Sequence, residues 1–141
     1  MDTNMFTAEE VTVALELIDI TLHDPHQIDY EIRAGIDEHQ QVIGYYCIGP
    51  TALTNGTYDL YWIAVSPKAQ NQGYGRQLLA HAEARIVNAG GRLIVAETSS
   101  QPKYEPTRLF YLNNRYSEVA RIKNYYRKDD DLVIFGKYFS Q

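Results

Sequence analysis

The chain has 141 residues, 45% of them apolar and 22% charged, with a net charge of −5. That length suffices for one domain with its own core, and the composition is that of a globular protein. No apolar run approaches the ~20 residues of a membrane span. The acidic balance argues against nucleic acid as the main partner, and the single cysteine excludes an internal disulfide framework and a multi-cysteine metal site.

The start of the chain, MDTNMFTAEE, has no secretory pattern, so a cytoplasmic protein is expected. Thr7 with Glu10 fits a capping box, and Val11, Ala14, Leu15, Ile18 and Leu22 make an apolar helical stripe to about His23. Asp24-Pro25 stops it. His23 and His26 flank Asp24 without further ligands, which is poor ground for a metal site. Tyr30 to Asp37 reads as a strand, Asp37-Glu38-His39-Gln40 as a polar turn, and Gln41 to Gly49 as a second strand, together an antiparallel hairpin. Cys47 lies within that second strand, where a small buried core residue is expected.

Pro50 and Asn55-Gly56 break the chain, and Tyr58 to Val65 follows, rich in aromatic and β-branched residues. Ser66-Pro67 ends this strand because proline cannot continue a ladder. Next come Gln70-Asn71-Gln72-Gly73-Tyr74-Gly75 and an amphipathic helix carrying Leu78, Leu79, Ala82, Ile86 and Val87 on one face. The first turn of a helix holds four backbone N–H groups without intrahelical partners and the positive end of the macrodipole. Two glycines there let a phosphate approach the amides, with Arg76 adding charge; equally, they permit a tight helix entry and nothing more. A P-loop needs Gly-Lys-Ser/Thr where the chain has Gly75-Arg76-Gln77, and a dinucleotide fingerprint needs a third glycine where Leu78 stands.

Asn88-Ala89-Gly90-Gly91 closes the helix, and Arg92 to Thr98 is a further strand, so strand, helix and strand form a right-handed parallel crossover. Pro102 and Pro106 frame a loop. Thr107 is expected to cap a helix holding Leu109, Phe110, Tyr111 and Leu112, which Asn113-Asn114 ends. Glu118 to Tyr126 and Leu132 to Phe139 form a last hairpin across a turn containing Asp129-Asp130-Asp131, read as solvated rather than as a calcium site.

This order, with the loop Gln70 to Gly75, resembles the GNAT superfamily of acetyl-CoA-dependent N-acetyltransferases. The family pattern of Arg or Gln, two residues, Gly, one residue, Gly or Ala is matched in full. Trp62 to Pro67, Gly75 to Glu83 and Arg108 to Tyr116 also look like the family, and the likeness runs from about residue 28 to residue 139. It implies one α/β (α+β) domain over residues 1–141: a mixed, mostly antiparallel central sheet of about six strands with flanking helices and one parallel β-α-β crossover. It implies acetyl-CoA as donor. The pyrophosphate would be held by Gln70 through Arg76, chiefly Gln72, Gly73, Tyr74, Gly75 and Arg76. The pantetheine arm would lie between diverging strands Asp59–Val65 and Arg92–Thr98. There the backbone of Ile63 and Val65 would pair with the arm and steady the developing oxyanion. Phe110 would pack against the donor.

By the same resemblance Tyr111 is the general-acid candidate, protonating the departing thiolate. Asp59 is a base candidate, with a polar residue at the strand entrance as its plain alternative; Glu97 is its rival. The family often has glycine where Arg115 stands. Since arginine enters the left-handed region at a cost, Asn113 or Asn114 is expected to make that turn. The acceptor, an unidentified primary amine, would be bound by the first helix, the Asp24–Asp29 loop and the C-terminal hairpin, with Tyr125 and Tyr126 as aromatic walls. A membrane or nucleic-acid partner is not expected, whereas exposed edge strands suit a homodimer. The competing reading is a non-catalytic acyl-CoA-binding or interaction module with the same fold.

Overall fold

A computed structural model describes residues 30–36, 39–70 and 72–140. The predicted first helix, the Asp24–Asp29 loop with its histidines, Asp37, Glu38 and Asn71 lie outside the described residues. Six strands form one sheet: β1 (Glu31–Ile36), β2 (Val42–Pro50), β3 (Thr57–Val65), β4 (Leu93–Ser99), β5 (Ser117–Arg127) and β6 (Asp130–Tyr138). Their spatial order is β1-β2-β3-β4-β6-β5. Every neighbouring pair is antiparallel except β3 and β4. The crossover between these two carries helix α1 (Tyr74–Asn88), and α2 (Glu105–Asn113) follows β4. The mixed six-stranded sheet and the parallel crossover are therefore as expected.

Both helices bury apolar residues in one core. Leu78, Leu79, Ala82 and Ile86 of α1 and Tyr111 of α2 join Tyr46, Ile48, Leu60, Ile94, Ala96, Val133 and Phe135 from the sheet. Val87, placed by periodicity on the same stripe, is 40% exposed. Cys47 is buried and free, as expected.

The register between β2 and β3 slips between Cys47 and Ile48: Cys47 faces Trp62, but Ile48 faces Leu60, so Tyr61 is an extra residue in β3. Such a bulge changes which face each later side chain takes. Leu60 before it and Ile63 after it both pack against the same core. Nothing in the alternation of Tyr58 to Val65 announced this.

Three local readings are corrected. Helix α2 begins at Glu105 with Tyr104 as N-cap, so Thr107 lies in the first turn and does not cap it. Pro106 belongs to the helix because first-turn N–H groups lack intrahelical partners and the fixed proline φ suits the position. Second, Arg115 itself adopts φ +72°, while Asn114 has φ −104°. Arg115 N–H donates to the Leu112 carbonyl and Tyr116 N–H to that of Tyr111 at 2.9 Å. These two bonds form a Schellman motif, and its apolar contact is the Tyr111–Tyr116 pair, with ring centroids 5.4 Å apart. The motif needs one left-handed residue, and the chain puts arginine there. An Arg115→Gly variant is therefore expected to be more stable by about 0.5–1 kcal/mol, relief of left-handed strain offset in part by glycine's unfolded-state entropy; urea unfolding measures it.

Third, the aspartate run is not a solvated turn throughout. Asp129 occupies the turn with φ +63°, but Asp130 and Asp131 begin β6. Asp130 is 3% exposed, accepts a hydrogen bond from Ser99 Oγ and lies 3.7 Å from Arg127. Asp131 accepts from Arg121 at 2.9 Å and from the Asn124 N–H at 3.0 Å. A buried carboxylate is tolerated because these partners replace water.

Candidate active site

β3 and β4 run together only at one end, where Thr57, Tyr58 and Asp59 face Leu93, Ile94 and Val95. Beyond Asp59 they part. From Leu60 to Val65, β3 keeps β2 on one side and has no strand on the other; from Ala96 to Ser99, β4 keeps only β6. The bulge at Tyr61 falls just past the last shared pair.

Two cavities open along this gap. The first, of about 410 Å³, is lined by Ile63, Ala64 and Val65 of β3, by Gln70 and Gly73 to Arg76, and by Pro106, Thr107 and Phe110 of α2. It thus gathers the residues expected to hold the donor apart from Asn71, which lies outside the described residues, and Gln72, which is exposed and bonds through Nε2 to the Lys68 carbonyl at 3.4 Å. Gly73 is the N-cap of α1 with φ +81°, and no side chain among the described residues caps that helix. The first-turn N–H groups of α1 therefore end at the cavity without a side-chain acceptor. A Cβ on Gly73 would meet nothing within 4 Å, so left-handed backbone is what requires glycine there. Gly75 serves differently: its Cβ would come within 3.2 Å of the Phe110 ring. An arm carrying amides and a pyrophosphate fits this combination of open strand edge, uncapped helix and Arg76.

The second cavity, of about 440 Å³, lies on the Tyr111 side. Tyr61, Trp62, Tyr104, Tyr111 and Tyr126 give it aromatic walls, and Glu97, Asp130, Arg127 and Lys103 give it charge. Ile63 and Thr107 line both cavities, so the two meet there. Thr107 Oγ1 is buried at this junction without a partner among the described residues. Tyr126 lines the second cavity; Tyr125 stands edge-on to it, with ring centroids 5.0 Å apart, and is 54% exposed. Burial raises the Tyr126 phenol, and the neighbouring Glu97 charge adds to this.

Tyr111 is 5% exposed, stacked on Phe135 at 5.8 Å and edge-on to Phe110 at 5.7 Å. Burial pushes its phenol far above the ordinary tyrosine range. The Schellman motif ties its carbonyl to Tyr116, whose hydroxyl donates to Glu83 of α1 at 2.8 Å. Glu83 also takes Lys137 Nζ at 3.1 Å. The helix floored by the donor cavity and the helix bearing Tyr111 are thereby cross-linked, a connection no local pattern revealed. Of the two base candidates, Glu97 lines the second cavity. Asp59 sits at the paired end of β3, accepts from Thr51 Oγ1 at 2.9 Å and lines neither cavity; Tyr61, whose hydroxyl lies 3.5 Å from it, connects it to the second.

Among the described residues no group of three potential ligands could hold a metal ion, and no helix is long and apolar enough to cross a membrane.

The profile of the acetyltransferase (GNAT) domain matches residues 32–128. A crystal structure from Desulfovibrio desulfuricans, described as an acetyltransferase of the GNAT family, is 44% identical over 97% of this chain and 85% of that one, with a TM-score of 0.89. A GNAT family acetyltransferase from Elizabethkingia anophelis with acetyl-CoA bound shares the fold at 22% identity, covering 88% and 82% of the two chains with a TM-score of 0.69. So does an aminoglycoside 6'-N-acetyltransferase complexed with coenzyme A, at 16% identity, 96% of each chain and a TM-score of 0.71. No curated protein matches the sequence. The chain belongs to the GNAT acetyltransferase family.

Proposed function

We propose that this protein is a single-domain N-acetyltransferase that moves the acetyl group of acetyl-CoA directly to a primary amine. One observation carries the reading: the parted strands open two cavities that meet at Ile63 and Thr107, one ending on an uncapped helix N-terminus and the other holding Tyr111. The structural relatives bound to acetyl-CoA or coenzyme A support the donor.

In this reading the amides of Gly73 to Arg76 hold the pyrophosphate, and the backbone of Ile63 and Val65 pairs with the pantetheine arm and the carbonyl oxygen. Acetyl-CoA supplies an activated thioester. Tyr111, which burial keeps in the proton-bearing form at neutral pH, protonates the departing sulfur. Glu97, within the acceptor-side cavity, takes the proton that the amine sheds, directly or through water; Asp59 is the alternative, through Tyr61. The protein works in the cytoplasm, and the exposed edge strand β5 suits a homodimer.

Release of the CoA thiol, measured with a panel of small amines, amino acids, peptide N-termini and lysine peptides, tests this. Turnover with at least one primary amine is expected. Tight CoA binding without acetylation of any amine would replace the enzyme by an acyl-CoA-binding module of the same fold.

A further inference from the structure

We propose that the protein acetylates its own Lys103, which lines the acceptor-side cavity. The proposal rests on the acetyl-transfer reading above. Among the described residues, Lys103 is the one lysine that lines either cavity, and it shares its cavity with Tyr111 and Glu97. It sits in the 3-10 turn Pro102–Tyr104 that leads into α2, four residues before Thr107, where the two cavities meet.

The backbone beneath Lys103 is fixed. Arg108 Nη1 donates to the Ser99 carbonyl at 2.6 Å and to that of Gln101 at 2.9 Å, and Tyr104 N–H donates to Gln101 at 3.0 Å. The side chain is not fixed in this way. Its Nζ lies over the Tyr104 ring, 5.0 Å from the centroid, and forms no salt bridge among the described residues. A cation–π contact at an exposed site is worth only about 0.5–1 kcal/mol, so the four-carbon stem can leave the ring. Lys137 differs, being held by Glu83 and the Asn114 carbonyl. Lys68, Lys123 and Lys128 line neither cavity.

The chemistry balances. The Lys103 ammonium gives one proton to solvent, and its Nζ lone pair forms an N–C bond with the acetyl carbon. The thioester C–S bond breaks with its electron pair on sulfur, and Tyr111 gives the sulfur its proton. Nζ sheds a second proton, to Glu97 or water, and Tyr111 is reprotonated from solvent. The products are acetyl-lysine and the CoA thiol. Because the amine is tethered beside the site, the step runs within one molecule and its rate does not depend on protein concentration. Acetylation removes the charge from Nζ and with it the hold on Tyr104, so the acceptor-side cavity is reshaped by its own product.

The test is incubation with isotopically labelled acetyl-CoA and no added amine, followed by peptide mass mapping. One acetyl group on Lys103 is expected, formed at a rate independent of protein concentration. It should fall about 100-fold in Tyr111→Phe and vanish in Lys103→Arg. Uniform labelling of all five lysines, unaffected by Tyr111→Phe, would overturn the proposal as mere chemical acetylation. So would an unmodified Lys103 in protein that acetylates an added amine, and in that case the acetyl-transfer reading survives. A second readout needs no turnover. A Lys103→Cys variant mixed with CoA disulfide should bind CoA at position 103 by thiol–disulfide exchange at least about tenfold faster than a Lys128→Cys control. Equal rates would place residue 103 out of reach of the donor's sulfur and sink the proposal.

Discussion

Tyr111→Phe is expected to lower kcat for acetyl transfer about 100-fold while leaving the KM for acetyl-CoA within a factor of two. Loss of a positioned general acid costs typically ~10²–10⁴ in rate. The ring must stay for packing, since it contacts Phe110, Tyr116 and Phe135. The hydroxyl makes no hydrogen bond with another described residue, so its removal should leave the unfolding midpoint unchanged or slightly higher. The pH dependence has a definite sign. Burial disfavours the charged phenolate, which raises the pKa, so the proton-bearing form persists as pH rises. Between about pH 7 and 10 the wild-type rate should show no alkaline loss from this residue, although an ordinary tyrosine would begin to ionise there. Retention of full kcat in the phenylalanine variant would assign proton delivery elsewhere.

Gly44→Ala is the second large effect, and it acts on the gap by way of packing. A Cβ at Gly44 would strike the Ala64 carbonyl oxygen and come within 2.8 Å of Leu78 Cδ1 and 3.2 Å of Val65 Cα. Two of these atoms are backbone and cannot swing aside. Relief requires β2 to move from β3, or α1 to lift off the sheet. Overpacking costs typically ~1–3 kcal/mol, and two backbone contacts place this substitution near the upper end, about 3 kcal/mol. Because Ala64 and Val65 line the donor cavity, affinity for CoA should also fall, by about tenfold; urea unfolding and calorimetric titration measure the two effects. A fully stable variant with unaltered CoA affinity would mean that the sheet absorbs the methyl group without moving the gap.

Most of the architecture was legible because it rests on periodicity and punctuation. Leu78, Leu79, Ala82 and Ile86 mark α1 at helical spacing, and Gly90 with Gly91 marks its end. The residues expected to hold the donor were named by the resemblance of the Gln70 to Gly75 loop and its flanking segments to the family, and the first cavity collects most of them. What escaped depends on pairing between distant segments. The bulge at Tyr61 exists only relative to β2. Asp130 looked solvated because its partner, Ser99, lies 31 residues away. The Glu83–Tyr116–Lys137 cluster draws on α1, the entry to β5, and β6. Arg115 was misjudged because local preference favours asparagine in the left-handed region, whereas the Schellman geometry dictates which position must adopt it, whatever residue is there.

The early separation of β3 from β4 bears on how selectivity can drift. Leu60 to Val65 and Ala96 to Ser99 each have no strand on one side, and on the proposed placement of the donor a ligand lying between them is recognised by main chain. Peptide groups are the same whatever side chains flank them. On that placement, preference for a donor whose arm carries amides is insulated from most point substitutions, while the walls of the second cavity, built of side chains such as Tyr104, Tyr126 and Glu97, can change. One half of the reaction is held constant by the polymer itself and the other is open to retargeting.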